Sequence, residues 1–314
     1  MPSPDERSLP VTPALRPAQS AGTRMRTSTT ARLALLALIW GSSFLWIKLA
    51  LRGLSPVEVT FGRLLLGAAV LFVVVAVQRS ALPRSARMWA HIAVAALFAN
   101  AIPYLLFSLG EQKVSSSTAG ILNATTPLFT VVVALITRHE RSVTPLRVLG
   151  LVVGFAGALL IFSPWRSGDL TSVGAIECLG AAVSYGISYV YMDKFVARRG
   201  ISPVTLAACQ LAAAAVILAI ALGVAGAPAP HFTAVVLVAI VILGLAGTGV
   251  AYVLNYQIIT SDGATVASTV TYLLPVVAII LGVLALSEHI SLLALAGIVL
   301  ILGGVALTRR RKPA

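Results

Sequence analysis

Residues 104 to 127, YLLFSLGEQKVSSSTAGILNATTP, lie on residues 252 to 275, YVLNYQIITSDGATVASTVTYLLP, at a constant offset of 148. Tyr104 meets Tyr252, Pro127 meets Pro275 and, further on, Glu140 meets Glu288. After a slip of one residue, Gly150 and Gly157 meet Gly297 and Gly304. Upstream, Trp40-Gly41-Ser42-Ser43 faces Tyr185-Gly186-Ile187-Ser188, and Leu54-Ser55-Pro56 faces Ile201-Ser202-Pro203. The likeness lies in ordered landmarks rather than raw identity, and it divides the chain into two related halves.

The solvent of those halves follows from composition. Apolar residues make up 58% of the chain and charged residues 11%, with a mean hydropathy of +0.97, well outside the range of a soluble domain. Apolar stretches of about twenty residues recur with short polar breaks, each long enough to cross about 30 Å of hydrocarbon as a helix. The alternating strands of a membrane barrel are absent from the pattern. The expected spans are 32 to 51, 55 to 78, 87 to 109, 114 to 137, 145 to 163, 171 to 193, 203 to 226, 232 to 257, 264 to 286 and 289 to 308. Five spans per half is an odd number, so the second half must enter the membrane from the opposite side. The expected fold is an all-α integral membrane protein of ten transmembrane helices in two inverted five-helix repeats, residues 32–163 and 171–308. Inverted repeats of this kind place a substrate site near the midplane.

Residues 1–30, rich in Pro, Ser, Thr and Arg, lack the hydrophobicity to fold alone and are expected to be a disordered cytoplasmic segment. No signal-peptide pattern precedes the first span, and Met25 is a candidate start. Residues 309–314 form a basic tail. With the N-terminus inside, the cytoplasmic face collects 18 basic residues: five up to Arg32, then Arg79, Arg84 and Arg87, Arg138, Arg141 and Arg147, Lys194, Arg198 and Arg199, and the four of Arg309 to Lys312. The outer face collects Lys48, Arg52, Lys113 and Arg166. The excess places both termini in the cytoplasm of a multi-pass cell-membrane protein. It also accounts for most of the net charge of +13 without a nucleic-acid partner.

Function must then sit inside the bundle. Pro127 and Pro275 fall mid-helix at equivalent places, where a missing backbone donor disturbs the preceding turn. Such matched interruptions point to a hinge beside a binding region, or else to a kink that only shapes the helix. Polar stripes recur at helical spacing. The third span carries Asn100, Tyr104, Phe107 and Glu111, and the fourth Ser116, Asn123, Thr126 and Thr130. The sixth carries Glu177, Ser184 and Ser188 with Tyr185 beside them, the eighth Thr248, Tyr252 and Asn255, and the ninth Thr265, Ser268, Thr271 and Tyr272. Trp40 lies too deep in the first span to belong to an interfacial belt. The candidate substrate-binding set is Trp40, Ser43, Arg63, Asn100, Tyr104, Asn123, Thr126, Glu177, Tyr185, Ser188, Tyr252, Asn255 and Thr271. The competing reading for these polar groups is interhelical hydrogen bonding that merely holds the bundle.

Arg63 is an intramembrane charge and should have a partner. Glu58 points to another side of the same helix, so Glu177, entering the sixth span from the same side at similar depth, is the expected partner in a gate or a carboxylate site, the alternative being a static ion pair. The repeat equivalent of Arg63 is neutral Gln210. The Gly150-x-x-x-Gly154 and Gly303-Gly304 faces read as scaffolding or a homodimer contact. Cys178 and Cys209 read as packing residues, and His91, His139, His231 and His289 as solvated groups at helix ends. Glu140 and Glu288 should cap or pair locally. No metal or cofactor site is indicated.

The opening stretch LALLALIWGSSFLWIKLALRGLSPVEVTFGRLLLGA, Thr126-Pro127-Leu128-Phe129 and Leu274-Pro275-Val276-Val277 followed by Glu288 resemble the EamA branch of the drug/metabolite transporter superfamily over about residues 32 to 308. The resemblance implies ten transmembrane helices and export, less often uptake, of amino acids, related metabolites or drug-like compounds. The chain is therefore expected to be a secondary transporter working by alternating access, with a small-molecule substrate, membrane lipid as surroundings and protons as candidate coupling ion. No G-x-x-x-x-G-K-[ST] loop serves ATP hydrolysis. An intramembrane enzyme or a channel, the alternatives, would lack a recognisable catalytic constellation or selectivity filter.

Overall fold

The computed structural model describes residues 19–114, 116–139, 144–162, 172–225, 229–277 and 292–308. Every element among them is helical. Among the described residues seven helices are long and apolar enough to cross a membrane: α1 (Thr29–Ala50), α2 (Pro56–Val77), α3 (Ala86–Gly110), α4 (Thr118–Ile136), α6 (Val173–Ala197), α7 (Pro203–Val224) and α8 (Ala234–Asp262). Three shorter apolar helices lie among the described residues, α5 (Pro145–Leu160), α9 (Ala264–Val277) and α10 (Leu295–Thr308). Their outward faces carry Val73, Val77, Ile136, Ile220 and Val299, the surface a hydrocarbon solvent requires.

One expectation changes at the N-terminus. The helix leading into α1 starts at Gln19 and runs to Gly41, so residues 19 to 30, expected to be disordered, are helical. The Gln, Ala, Arg and Met residues there are good helix formers, and adding turns to an existing helix needs no new nucleus.

Sequence punctuation explains the remaining edges. Ser55 caps α2 in a reciprocal box with Glu58: the Ser55 N–H donates to Glu58 Oε2 at 2.7 Å, and the Glu58 N–H donates to Ser55 Oγ at 3.4 Å. This is the task of Glu58. Ser202 repeats the first half of the device at the start of α7, accepting from the Thr205 N–H at 3.1 Å, and in both a proline occupies the first helical position, where no donor is missed. At the far ends of α2 and α4, Arg79 and Arg138 take φ of 51°, and the next N–H turns back to Val75 O and Ala134 O, a left-handed cap built without glycine.

α2 lies against α7, α4 meets α9, and α5 packs along α10; α1 packs on α8 and α3 on α6. Lipid supplies no hydrophobic drive between helices, so close backbone approach does the work. The Gly150, Gly154 and Gly304 face is spent here, on α5 against α10: a Cβ on Gly304 would meet Gly150 O at 2.5 Å. Cys178 and Cys209 are free and fully buried.

Candidate functional site

Four interruptions of regular helix converge on the centre of the bundle. α3 widens to a π-helical turn at Leu97–Ala101 and α8 at Leu245–Val250, 148 residues apart, as Tyr104 and Tyr252 are. A π turn takes in one extra residue and aims carbonyls off the helix ladder. α4 breaks between Asn123 and Thr126, ahead of Pro127, and α9 turns at Thr269, ahead of Pro275. Each proline lacks the N–H that would reach four residues back, to Asn123 and to Thr271.

The aimed carbonyls bind side chains. Gly247 O, in the α8 π turn, accepts from Trp40 Nε1 at 3.0 Å and from Arg63 Nη2 at 3.4 Å. Thr248 Oγ1 accepts from Arg63 Nε at 3.0 Å and donates to Leu243 O at 2.8 Å. In the α3 π turn, Phe98 O accepts from Ser184 Oγ at 2.7 Å and Ala99 O from the Tyr252 hydroxyl. Asn100 Oδ1 accepts from Gln210 Nε2 at 2.6 Å, and Gln210 Oε1 accepts from the Tyr256 hydroxyl. Arg63 on Thr248 and Gln210 on Asn100 are thus the same α2-to-α8 and α7-to-α3 anchor.

Between these turns lies a cavity walled by the aromatic rings of Trp40, Phe44, Tyr104, Phe107, Tyr185, Tyr189 and Tyr252, with Ser43, Arg63, Asn123, Ser188, Asn255 and Thr271 among them. Ile47, Ala99, Met192 and Leu274 complete it. The space open to the centres of water molecules is about 50 Å³, room for a few waters in this conformation. Trp40 meets Tyr252 edge-on at 6.1 Å, and the Arg63 guanidinium sits 3.9 Å from the Tyr104 ring centre.

Ten of the thirteen residues proposed from sequence line this cavity, namely Trp40, Ser43, Arg63, Tyr104, Asn123, Tyr185, Ser188, Tyr252, Asn255 and Thr271. Asn100 lies just behind it on Gln210, and Thr126 is buried, donating to Asn123 Oδ1 at 3.3 Å. Glu177 lies elsewhere. It receives Lys113 Nζ at 2.5 Å, so the expected pair with Arg63 is not formed. Depth along a helix does not fix azimuth: the α6 face carrying Glu177 turns to the end of α3, where Lys113 is nearer. Phe44, Ile47, Ala99, Tyr189, Met192 and Leu274 were missed; continuing the Trp40/Tyr185 alignment by four and seven residues reaches Phe44/Tyr189 and Ile47/Met192.

Outside the cavity lining, charged and polar side chains gather in two places. At one, Asp193 is buried and accepts from Arg198 Nε at 2.9 Å, with His139 Nε2 at 3.0 Å; Thr29 donates to Asp262 nearby in sequence to the α8–α9 turn. At the other are Lys113–Glu177 and Lys48 Nζ on Val114 O at 3.3 Å. Two histidines expected to be solvated are therefore engaged: His139 as above, and His91, which bonds the Tyr191 hydroxyl at 2.7 Å and stacks on Phe195 at 5.0 Å, because α6 runs past each. His231 is exposed, while His289, Glu140 and Glu288 lie outside the described residues. No cluster able to hold a metal ion occurs among the described residues.

A bundle of membrane-length apolar helices enclosing a polar, aromatic cavity is the architecture of a multi-pass membrane protein. The profile of the EamA-like transporter family matches residues 30–163 and again residues 172–310, and the chain belongs to that family of membrane transporters. It is 26% identical over 295 residues to the uncharacterized transporter YvbV of Bacillus subtilis, covering 92% of this chain and 94% of the relative. An uncharacterized transporter of Archaeoglobus fulgidus is 26% identical over 299 residues, 92% of this chain and 99% of its own. The uncharacterized inner membrane transporter YedA of Escherichia coli is 26% identical over 79% of each chain. A crystal structure 21% identical in sequence superposes with a TM-score of 0.72 over 90% of this chain and 96% of its own, a likeness of fold.

Proposed function

We propose that the protein is a secondary transporter that exports a small organic metabolite, of the amino-acid-related or drug-like kind, by alternating access, and that it is not an enzyme. Ten transmembrane helices form two inverted five-helix repeats, with both termini cytoplasmic and protons as coupling ion. One observation carries this reading. At the offsets of 145 and 148, fourteen of the seventeen cavity residues fall into equivalent pairs: Trp40 with Tyr185, Ser43 with Ser188, Phe44 with Tyr189, Ile47 with Met192, Tyr104 with Tyr252, Phe107 with Asn255, and Asn123 with Thr271. A cavity on the axis relating two repeats is what an exchange of their conformations would open alternately to either side. The packing of α2 on α7, α4 on α9 and α5 on α10, and the double match of one family profile, support the same division. Pro127 and Pro275 serve as hinges, since each frees a carbonyl beside the cavity.

The test is flux in proteoliposomes with and without a pH gradient, using solutes found to accumulate outside cells that express the protein. Asn123→Leu and Tyr104→Trp should abolish most of the flux at unchanged membrane abundance. Abundance falling in step with flux would mean that these side chains only hold the bundle.

A further inference from the structure

Among the described residues Arg63 has no anionic partner. It is 4% exposed, and its contacts are Thr248 Oγ1, the Gly247 carbonyl and the face of Tyr104, all neutral. No described residue bonds to Nη1, and the side chain borders the cavity. A guanidinium so placed in a low-dielectric interior is costly unless something neutralises it.

The scaffold does not need that charge. In the other half the same anchor, from α7 to the α3 π turn, is made by neutral Gln210, whose amide is satisfied by Asn100 and Tyr256. An amide can therefore hold α2 to α8 as well. The charge at 63 has no counterpart at the equivalent position 210, and it borders the space between the aromatic walls. A second side chain there is also unspent: Asn255, 2% exposed, makes no side-chain hydrogen bond among the described residues and leaves Oδ1 buried without a partner.

We propose that the cavity recognises solutes through a carboxylate received by Arg63, with the remainder of the solute against the aromatic walls and Asn255; this rests on the transport reading above. A planar carboxylate fits the free edge of a guanidinium. A single positive charge balances a monoanion and leaves a dianionic phosphate half compensated. Cationic and neutral compounds leave Arg63 unneutralised and are disfavoured.

The experiment measures binding to the purified protein in detergent for two matched pairs, phenylacetate with phenylacetamide and phenylalanine with phenylalaninamide. Each acid should bind about tenfold or more tightly than its amide, the value of one charge-assisted pair. If phenylalanine and phenylacetate bind alike, the carboxylate alone is read; if phenylalanine binds more tightly, Asn255 and the rings also hold its ammonium group. Arg63→Gln copies the anchor of the other half and should bind acid and amide equally while staying folded. Should that variant not fold, Arg63→Lys keeps the charge and should keep a weakened preference for the acid. The proposal is overturned if the wild-type protein binds neither acid, if it prefers the amides, or if Arg63→Gln retains the preference. Acid binding without flux in proteoliposomes would instead refute the transport reading, and flux of the amides over the acids would refute this proposal alone.

Discussion

Replacing Gly304 with leucine should unfold the protein at lower temperature, and replacing Gly303 should not. A Cβ at 304 would stand 2.5 Å from Gly150 O, 2.6 Å from Gly154 N and 2.8 Å from Gly154 Cα. All three are backbone atoms, so no side chain can swing aside. Restoring ordinary contact, which begins at 3.4 Å, requires α5 and α10 to part by about 0.9 Å, the difference between 3.4 and 2.5, with the rest of the leucine still to be housed. Overpacking of this kind costs about 1–3 kcal/mol. Parting also loosens the neighbouring contact, where a Cβ on Gly157 would lie 2.6 Å from Gly297 O, so the upper half of that range is expected. At about 2–4 °C per kcal/mol, the melting temperature of the detergent-purified protein, followed by the monodisperse fraction surviving heating, should fall by several degrees. Gly303→Leu, which meets nothing within 4 Å, is the matched control. Equal melting of Gly304→Leu, Gly303→Leu and wild type would mean that close packing of α5 on α10 is not what holds this side of the bundle.

The two serine caps should be worth similar amounts: Ser55→Ala and Ser202→Ala are each expected to cost about 1 kcal/mol, measured by the same melting assay, and a cost at one site alone would break the equivalence of α2 and α7. Asp193→Ala removes the shared acceptor of His139 and Arg198 and should raise labelling of a Ser188→Cys reporter from the face that bears Arg198; the energetic effect is modest, about 1 kcal/mol, because Arg198 is 59% exposed, and unchanged labelling would show that this cluster does not close the cavity. On topology, an impermeant thiol reagent applied to intact cells should label cysteine at Lys113 and spare cysteine at Arg199. The reverse pattern would invert the proposed orientation.

Periodicity and punctuation made much of this legible in advance. Among the described residues the apolar stretches located most helix ends to within a few residues, and the Ser-Pro pairs marked two starts because a cap and a donorless residue are needed there. The polar stripes found most of the cavity since, in lipid, a run of Ser, Asn and Tyr on one helix face has few other places to turn. What the sequence withheld was azimuth and local winding. Glu177 and Arg63 were expected at similar depth, yet α6 presents Glu177 to Lys113, which no spacing along either helix reveals. The π turns carry no proline within them, and the Gly-rich run Leu245 to Val250 was the faint sign of the one that holds Arg63. The helical stretch from Gln19 was hidden by composition, which reports on folding alone and not on growth from a helix already anchored.

The crossed anchors have a consequence for how such a chain could arise. Arg63, from the first half, is held by Gly247 and Thr248 of the second, while Gln210, from the second, is held by Asn100 of the first. Neither half can finish its own wall of the cavity. On the proposed topology, a five-helix ancestor would have acquired a working site only when two copies inserted in opposite senses met in one membrane, and fusion into a single chain then freed the copies to diverge. The exchange of glutamine and arginine between positions 210 and 63 is the kind of change an obligate pair of identical chains is barred from making, since it would place the charge on both sides of the axis at once.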